Sequence, residues 1–127
     1  MPLDLTALSQ VLNRPWIVAA WLFGSSQCGS VRLGSDVDIA LLADPTPSLE
    51  EQLDLQAELA TLTREDVDLV LLNGASSVLR FEALQGRSLM CNDPEARAVF
   101  ASLAAREYED DMALAQRGMN ARQERRP

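Results

Sequence analysis

The sequence predicts an α/β (α+β) fold, a small mixed β-sheet packed with helices. Three observations carry that expectation. Apolar runs of strand length occur at Trp16–Phe23 and Ile39–Ala43. Helix-opening signals stand at Ser48 and at Asp93-Pro94, between and beyond those runs. Strands that are apolar at successive positions, with no polar alternation, need cover on both faces.

In chain order, Leu3, Leu5, Leu8, Val11 and Leu12 are spaced for a short amphipathic helix, stopped near Asn13 by Pro15. Trp16 to Phe23 reads as the first strand, ended by Gly24, and Asp36 to Ala43 as the second, closed by Asp44-Pro45. Ser48-Leu-Glu-Glu51 is a capping box that opens a helix to about Thr63, with Leu49, Leu53, Leu55, Leu59 and Leu62 as its apolar positions. Asp66 to Leu72 is a third strand, ended by Asn73-Gly74. Ser76 or Ser77 caps a helix through Leu84, with Gly86 just past its end as a stop. Ser88 to Cys91 is a short edge strand, and Asp93 as N-cap with Pro94 behind it starts a last helix to about Gly118. Residues 1–118 are expected to form one domain, with 94–118 as its C-terminal helix and 119–127 as a basic, flexible tail. Val99, Phe100, Leu103, Ala104 and Met112 of the last helix are read as packing internally, with a partner surface as the alternative.

The chain has no histidine and no lysine; all eleven basic residues are arginine. That removes the commonest general base, a Schiff-base nucleophile and a P-loop lysine. Gly24-x-x-x-x-Gly29-x therefore fails as a Walker motif. Chemistry has to run on carboxylates, hydroxyls, backbone amides, arginine or a bound metal. The net charge of −8 argues against stable nucleic-acid binding, which needs a basic face. Arg117, Arg122, Arg125 and Arg126 against Glu124 give the last eleven residues +3, which leaves −11 on residues 1–116. No apolar run is long enough to span a bilayer. No basic segment precedes an apolar run at the N-terminus, so neither a signal peptide nor a membrane partner is predicted. Cys28 and Cys91 make no disulfide framework, and reduced thiols in a cytoplasmic protein are the simpler reading.

Asp36-Val37-Asp38 places two carboxylates on one face of a strand, about 7 Å apart, at the edge of an apolar run. Like charges at a core boundary stay ionised when a cation compensates them, and Mg²⁺ suits a site of few carboxylates completed by water and phosphate. Asp66-Val67-Asp68 repeats the pattern at the third strand. If the second and third strands are neighbours, Asp68, the deeper of the two, would complete a three-aspartate site able to hold two metal ions about 4 Å apart. Taken singly, each pair is equally a solvated strand start. Gly24-Ser25, where the first strand stops, can turn the backbone tightly and aim amides and a hydroxyl at an anion, or can be a simple turn.

The combination is more specific than its parts. Gly24-Ser25, ten residues, then Asp36-x-Asp38 matches the G-S-x10-D-x-D signature of the DNA polymerase β-like nucleotidyltransferases. Chance supplies those four residues at that spacing in roughly two chains per thousand of this length, so the match outweighs the bland readings. The chain most closely resembles the minimal nucleotidyltransferases (MNT), the MntA-type antitoxins of HEPN/MNT toxin–antitoxin pairs. The resemblance includes Trp21-Leu-Phe-Gly24-Ser25, Arg32-x-Gly34-Ser35-Asp36-Val-Asp38, Val67-Asp68-Leu-Val-Leu-Leu-Asn73, Leu79-Arg80-Phe81-Glu82 with Gly86 to Met90, and Tyr108-Glu-Asp110.

The resemblance implies a polymerase β-like fold and an enzyme, a protein adenylyltransferase with a two-metal mechanism. Asp36 and Asp38 would hold Mg²⁺, while Asp68 would share the metal site and position or deprotonate the acceptor hydroxyl. Gly24, Ser25, Arg32 and Ser35 would bind the nucleotide, with ATP as co-substrate. The partner it implies is a HEPN-family ribonuclease toxin, AMPylated and so neutralised in a complex with this chain. The turn departs from the family's G-S-R-A-R-G: Ser26 and Cys28 stand where arginines would face a triphosphate. That departure keeps a non-catalytic, toxin-covering antitoxin as an alternative, alongside a small-molecule nucleotidyltransferase.

Overall fold

The computed structural model describes residues 3–24 and 37–124. Helix α1 spans Leu5–Val11, strand β1 Ile17–Phe23, β2 Val37–Ala43, helix α2 Leu49–Thr63, β3 Val67–Leu71, α3 Ser77–Leu84, β4 Arg87–Cys91 and α4 Pro94–Glu124. One 3₁₀ turn, Leu72–Gly74, follows β3. The strands form a four-stranded mixed sheet in the order β3-β2-β1-β4. β1 runs antiparallel to both β2 and β4, while β2 and β3 are parallel and joined by α2 as their crossover.

The local signals account for where the elements begin. Asp4 caps α1 by accepting from the Ala7 amide at 3.1 Å. The capping box of α2 is complete: the Glu51 amide donates to Ser48 Oγ at 3.1 Å, and the Ser48 amide to Glu51 Oε1 at 3.0 Å. Ser76, rather than Ser77, caps α3. Asp93 Oδ1 accepts from the Ala96 amide at 3.0 Å with Pro94 at the first helical position. α2 ends in a left-handed residue that is not glycine, Arg64 at φ 59°. Gly86 is no left-handed stop. It lets α3 lie close to β1, since a Cβ there would sit 2.4 Å from the Leu22 carbonyl oxygen and 2.9 Å from Phe23 Cβ. The last helix does not stop at Gly118 but continues to Glu124. A glycine ends a helix only where it turns left-handed, and Gly118 does not.

Both faces of the sheet are covered, as uninterrupted apolar strands require. Beneath α1 and α2 lie Leu8, Leu12, Ile17, Leu22, Ile39, Leu41, Leu55 and Leu59. Beneath α3 and α4 lie Val18, Trp21, Phe23, Ala40, Leu42 and Leu72. Irregularities in β1 between Ile17 and Ala19 and between Ala20 and Trp21 shift its register. They put Val18 and Ala19 in the same core layer as Trp21 and Phe23, which strict alternation would not do.

Two apolar sets divide on folding. Of the five leucines along α2, only Leu55 and Leu59 are buried, whereas Leu49, Leu53 and Leu62 are 70%, 53% and 39% exposed. α2 crosses at the rim of a narrow sheet, so it has core beneath one side only. In α4, Ala104 is buried and Phe100 packs on the core, while Val99, Leu103 and Met112 face outward.

Arg80 joins three elements. Its Nε and Nη2 donate to the Leu72 and Asn73 carbonyls at 2.8 and 2.6 Å. Its Nη1 reaches Glu107 at 3.2 Å, and its guanidinium lies 5.4 Å from the Phe100 ring centre. Phe81 stacks on Tyr108 with ring centres 3.9 Å apart, and Ser77 hydrogen-bonds Asp111. The Leu79–Glu82 and Tyr108–Asp110 segments thus fasten α3 to α4.

Candidate active site

β1 ends at Phe23, and Gly24 leaves the strand with φ at +70°, a conformation open to glycine at no steric cost. Phe23 pairs with Asp38 across the antiparallel β1–β2 ladder, so Gly24 turns away beside the first described carboxylate of β2. The approach is tight: a Cβ on Gly24 would stand 2.6 Å from Asp38 Oδ2. Glycine is required twice here, by the backbone angle and by the space Asp38 occupies.

On the other side of β2, Asp38 pairs with Asp68 of β3 in parallel register, within the run Val37↔Val67 to Leu41↔Leu71. Paired residues share a face, and neighbouring strands lie about 4.8 Å apart. The register is held at the site end by the Val37 amide, which donates to the Asp66 carbonyl at 2.8 Å. Gln56 of α2 adds a bond from its amide to the Val67 carbonyl at 2.8 Å. At the far end, Asn73 grips Ala43 twice, accepting from its amide at 3.0 Å and donating to its carbonyl at 2.7 Å.

Asp38 is half-buried and Asp68 exposed; Asp66 is exposed as well. The expected contrast in burial between Asp66 and Asp68 is therefore absent, because β3 is an edge strand and its first turn of chain is open to solvent. What separates the two is register: Asp68, not Asp66, stands opposite Asp38. Of the other residues the sequence singles out, Ser25, Arg32, Ser35 and Asp36 lie outside the described residues, as do Ser26 and Cys28. Among the described residues, no three of His, Cys, Asp and Glu are grouped to hold a metal ion. Asp38 and Asp68 offer two oxygen donors with an open side for water and phosphate, the kind of donor set Mg²⁺ takes.

A β-strand ending in a left-handed glycine against an aspartate, itself in register with a second aspartate, is a phosphate-handling arrangement. The family model for polymerase beta nucleotidyltransferases matches residues 7–95, which includes α1 through β4 and all of that geometry. The chain belongs to the polymerase beta nucleotidyltransferase family.

Within this family, the chain is 40% identical over 78 residues to the protein adenylyltransferase MntA of Shewanella oneidensis, a stretch covering 61% of this chain and 56% of that relative's length. A chain of a solved toxin–antitoxin complex with AMP-PNP superposes with a TM-score of 0.77 at 30% identity, covering 94% of this chain and 98% of that one. A chain of the tri-AMPylated Shewanella oneidensis HEPN toxin in complex with MNT antitoxin gives 0.70 at 28% identity, over 92% and 93%. The nucleotidyltransferase fold expected of the sequence is the fold observed. No helix among the described residues is long and apolar enough to cross a membrane.

Sequence reasoning missed the supports of this site. Gln56 and Asn73 are unremarkable in sequence, because each acts on backbone brought near it only by the β2–α2–β3 crossover. Gly86 was legible as a glycine after a helix, but its close approach to β1 needs the packed structure.

Proposed function

We propose that this chain is a protein adenylyltransferase that transfers AMP from ATP to a hydroxyl of a HEPN-family partner, and so serves as the antitoxin of a toxin–antitoxin pair. The observation that carries the reading is the registered Asp38–Asp68 pair set against Gly24 at the end of β1. The MntA relative is named a protein adenylyltransferase, and solved relatives hold AMP-PNP or an AMPylated HEPN toxin.

Asp36, Asp38 and Asp68 would hold Mg²⁺, which when bound neutralises triphosphate charge and polarises the α-phosphate. Gly24 brings the backbone close to the triphosphate, where Ser25, Ser35 and Arg32 supply hydrogen bonds and positive charge. Asp68, at the open rim, positions the acceptor hydroxyl and takes its proton. The acceptor oxygen bonds to the α-phosphorus, the bond to the β-phosphate breaks, and pyrophosphate leaves. ATP and reduced thiols place this reaction in the cytoplasm.

A mixture of this chain, Mg²⁺, ATP and the HEPN protein encoded beside it tests the reading by intact-mass spectrometry. The expected result is an AMP-sized gain on the HEPN protein, lost with Asp38→Ala. Ser26 and Cys28 in the phosphate turn favour a second reading, a binding antitoxin without catalysis. Full inhibition of an unmodified HEPN protein by the Asp36→Ala/Asp38→Ala variant would establish that second reading and sink the first.

A further inference from the structure

The aspartate pair is approachable from one side. Asp38 lies one strand in from the edge, flanked on its β1 side by Phe23 and Gly24. Asp68 lies on the edge strand itself and is exposed. An acceptor hydroxyl therefore arrives over the free edge of β3. Along that same edge runs a groove of about 450 Å³ lined by Leu53, Gln56, Ala57, Ala60, Asp66 and Val67. A second cavity of about 430 Å³ shares Ala60 and Asp66 with it and adds Arg64 and Glu65.

We propose that this α2–β3 groove seats an amphipathic, basic helix of the partner protein, adjoining the segment that presents the acceptor hydroxyl. The proposal rests on the protein-directed transfer above and adds where the acceptor's carrier binds. Leu53, Ala57 and Ala60 recur at helical spacing on one face of α2, with Leu49 extending the stripe outward. Two small residues beside a leucine make a shallow channel into which a ridge of a second helix fits.

Backbone accounting decides between a helix and an added strand. The Asp66 carbonyl is turned to β2, so the next carbonyl, that of Val67, faces the free edge. Gln56 already occupies it at 2.8 Å. A strand docking there would have to displace that bond, whereas a helix docks by side chains and leaves it intact. Charge sets the polarity of the occupant. At the site end, Glu65, Asp66 and Asp68 are opposed only by Arg64, within a chain of net charge −8, and basic side chains complement that rim.

The test uses Leu53→Arg/Ala57→Arg, at two exposed positions whose change leaves the core untouched. With the neighbouring HEPN protein as acceptor, its KM should rise at least about tenfold while the KM for ATP stays unchanged. A photo-crosslinking residue at position 57 should join the two proteins without ATP. An unchanged acceptor KM together with no crosslink overturns the docking surface. Crosslinking without AMP transfer would leave this surface standing and remove the catalytic reading. Transfer undiminished in the double variant does the reverse, and absence of both removes both. Crosslinking of position 57 to a second copy of this chain, with a sedimenting dimer that the double variant dissolves, would assign the groove to self-association and overturn the proposal.

Discussion

Asp38 and Gly24 share one small volume: the carboxylate oxygen of the first lies where a side chain on the second would begin, 2.6 Å from the position of its Cβ. Gly24 also holds φ at +70°, which a larger residue adopts at a cost of about 1–2 kcal/mol. Gly24→Ala is expected to lower stability by about that amount and to push Asp38 out of line. AMP transfer should fall at least about 100-fold, since misplacement by about an ångström has that effect on positioned chemistry. Urea melts and transfer assays on the same preparation check both halves. A variant with normal transfer would show that the Gly24–Asp38 contact is dispensable.

Asp68 and Asp38 should fail differently. Asp68 is exposed at the edge and Asp38 half-buried one strand in. Asp68→Asn should keep its fold and most of its affinity for ATP, while transfer falls by about 10²–10⁴-fold, the range associated with a positioned proton acceptor. Asp38→Asn should weaken Mg²⁺-dependent nucleotide binding as well as transfer. Equilibrium binding of a fluorescent ATP analogue, beside turnover, separates the two; equal loss of binding in both variants would contradict the division of roles.

Arg80 is expected to matter for stability alone. Arg80→Ala strips the Leu72 and Asn73 carbonyls of their donor and removes the cation from the Phe100 ring. The loss should be about 2–3 kcal/mol, mostly from those two bonds; the exposed Glu107 adds little. Chemical denaturation reads it, and at temperatures where the variant is folded its KM for ATP should match that of the parent.

Gly118 is helical and a Cβ there would meet no atom within 4 Å. Gly118→Ala should therefore raise helix content and stabilise α4 by up to about 1 kcal/mol. Circular dichroism and a thermal melt check it, and a drop in helicity would mean that the glycine serves a bend.

Much of the fold was legible because its signals are local. Ser48, Ser76 and Asp93 cap the next few amides, so their role follows from a few residues of sequence. β1 and β2 announced themselves by apolar runs that only a two-sided core can bury. The α2 leucines were read as one stripe, yet Leu49, Leu53 and Leu62 stayed exposed, because burial depends on how wide a sheet lies below the helix. The overrun of α4 past Gly118 has a similar origin, since a glycine is a stop only if its backbone turns left-handed.

By itself the sequence determined the family and the kind of chemistry. Gly24-Ser25 and Asp36-x-Asp38 carry their meaning in residue type and spacing, and the absence of histidine and lysine narrows what else could act. Tertiary structure alone decided that Asp68 meets Asp38, that Asp66 contributes its carbonyl to the ladder, and that the pair opens toward β3. Asp38 and Asp68 are thirty positions apart in the chain. Only the register of two parallel strands brings them together, and a slip of one residue would turn one of them to the opposite face.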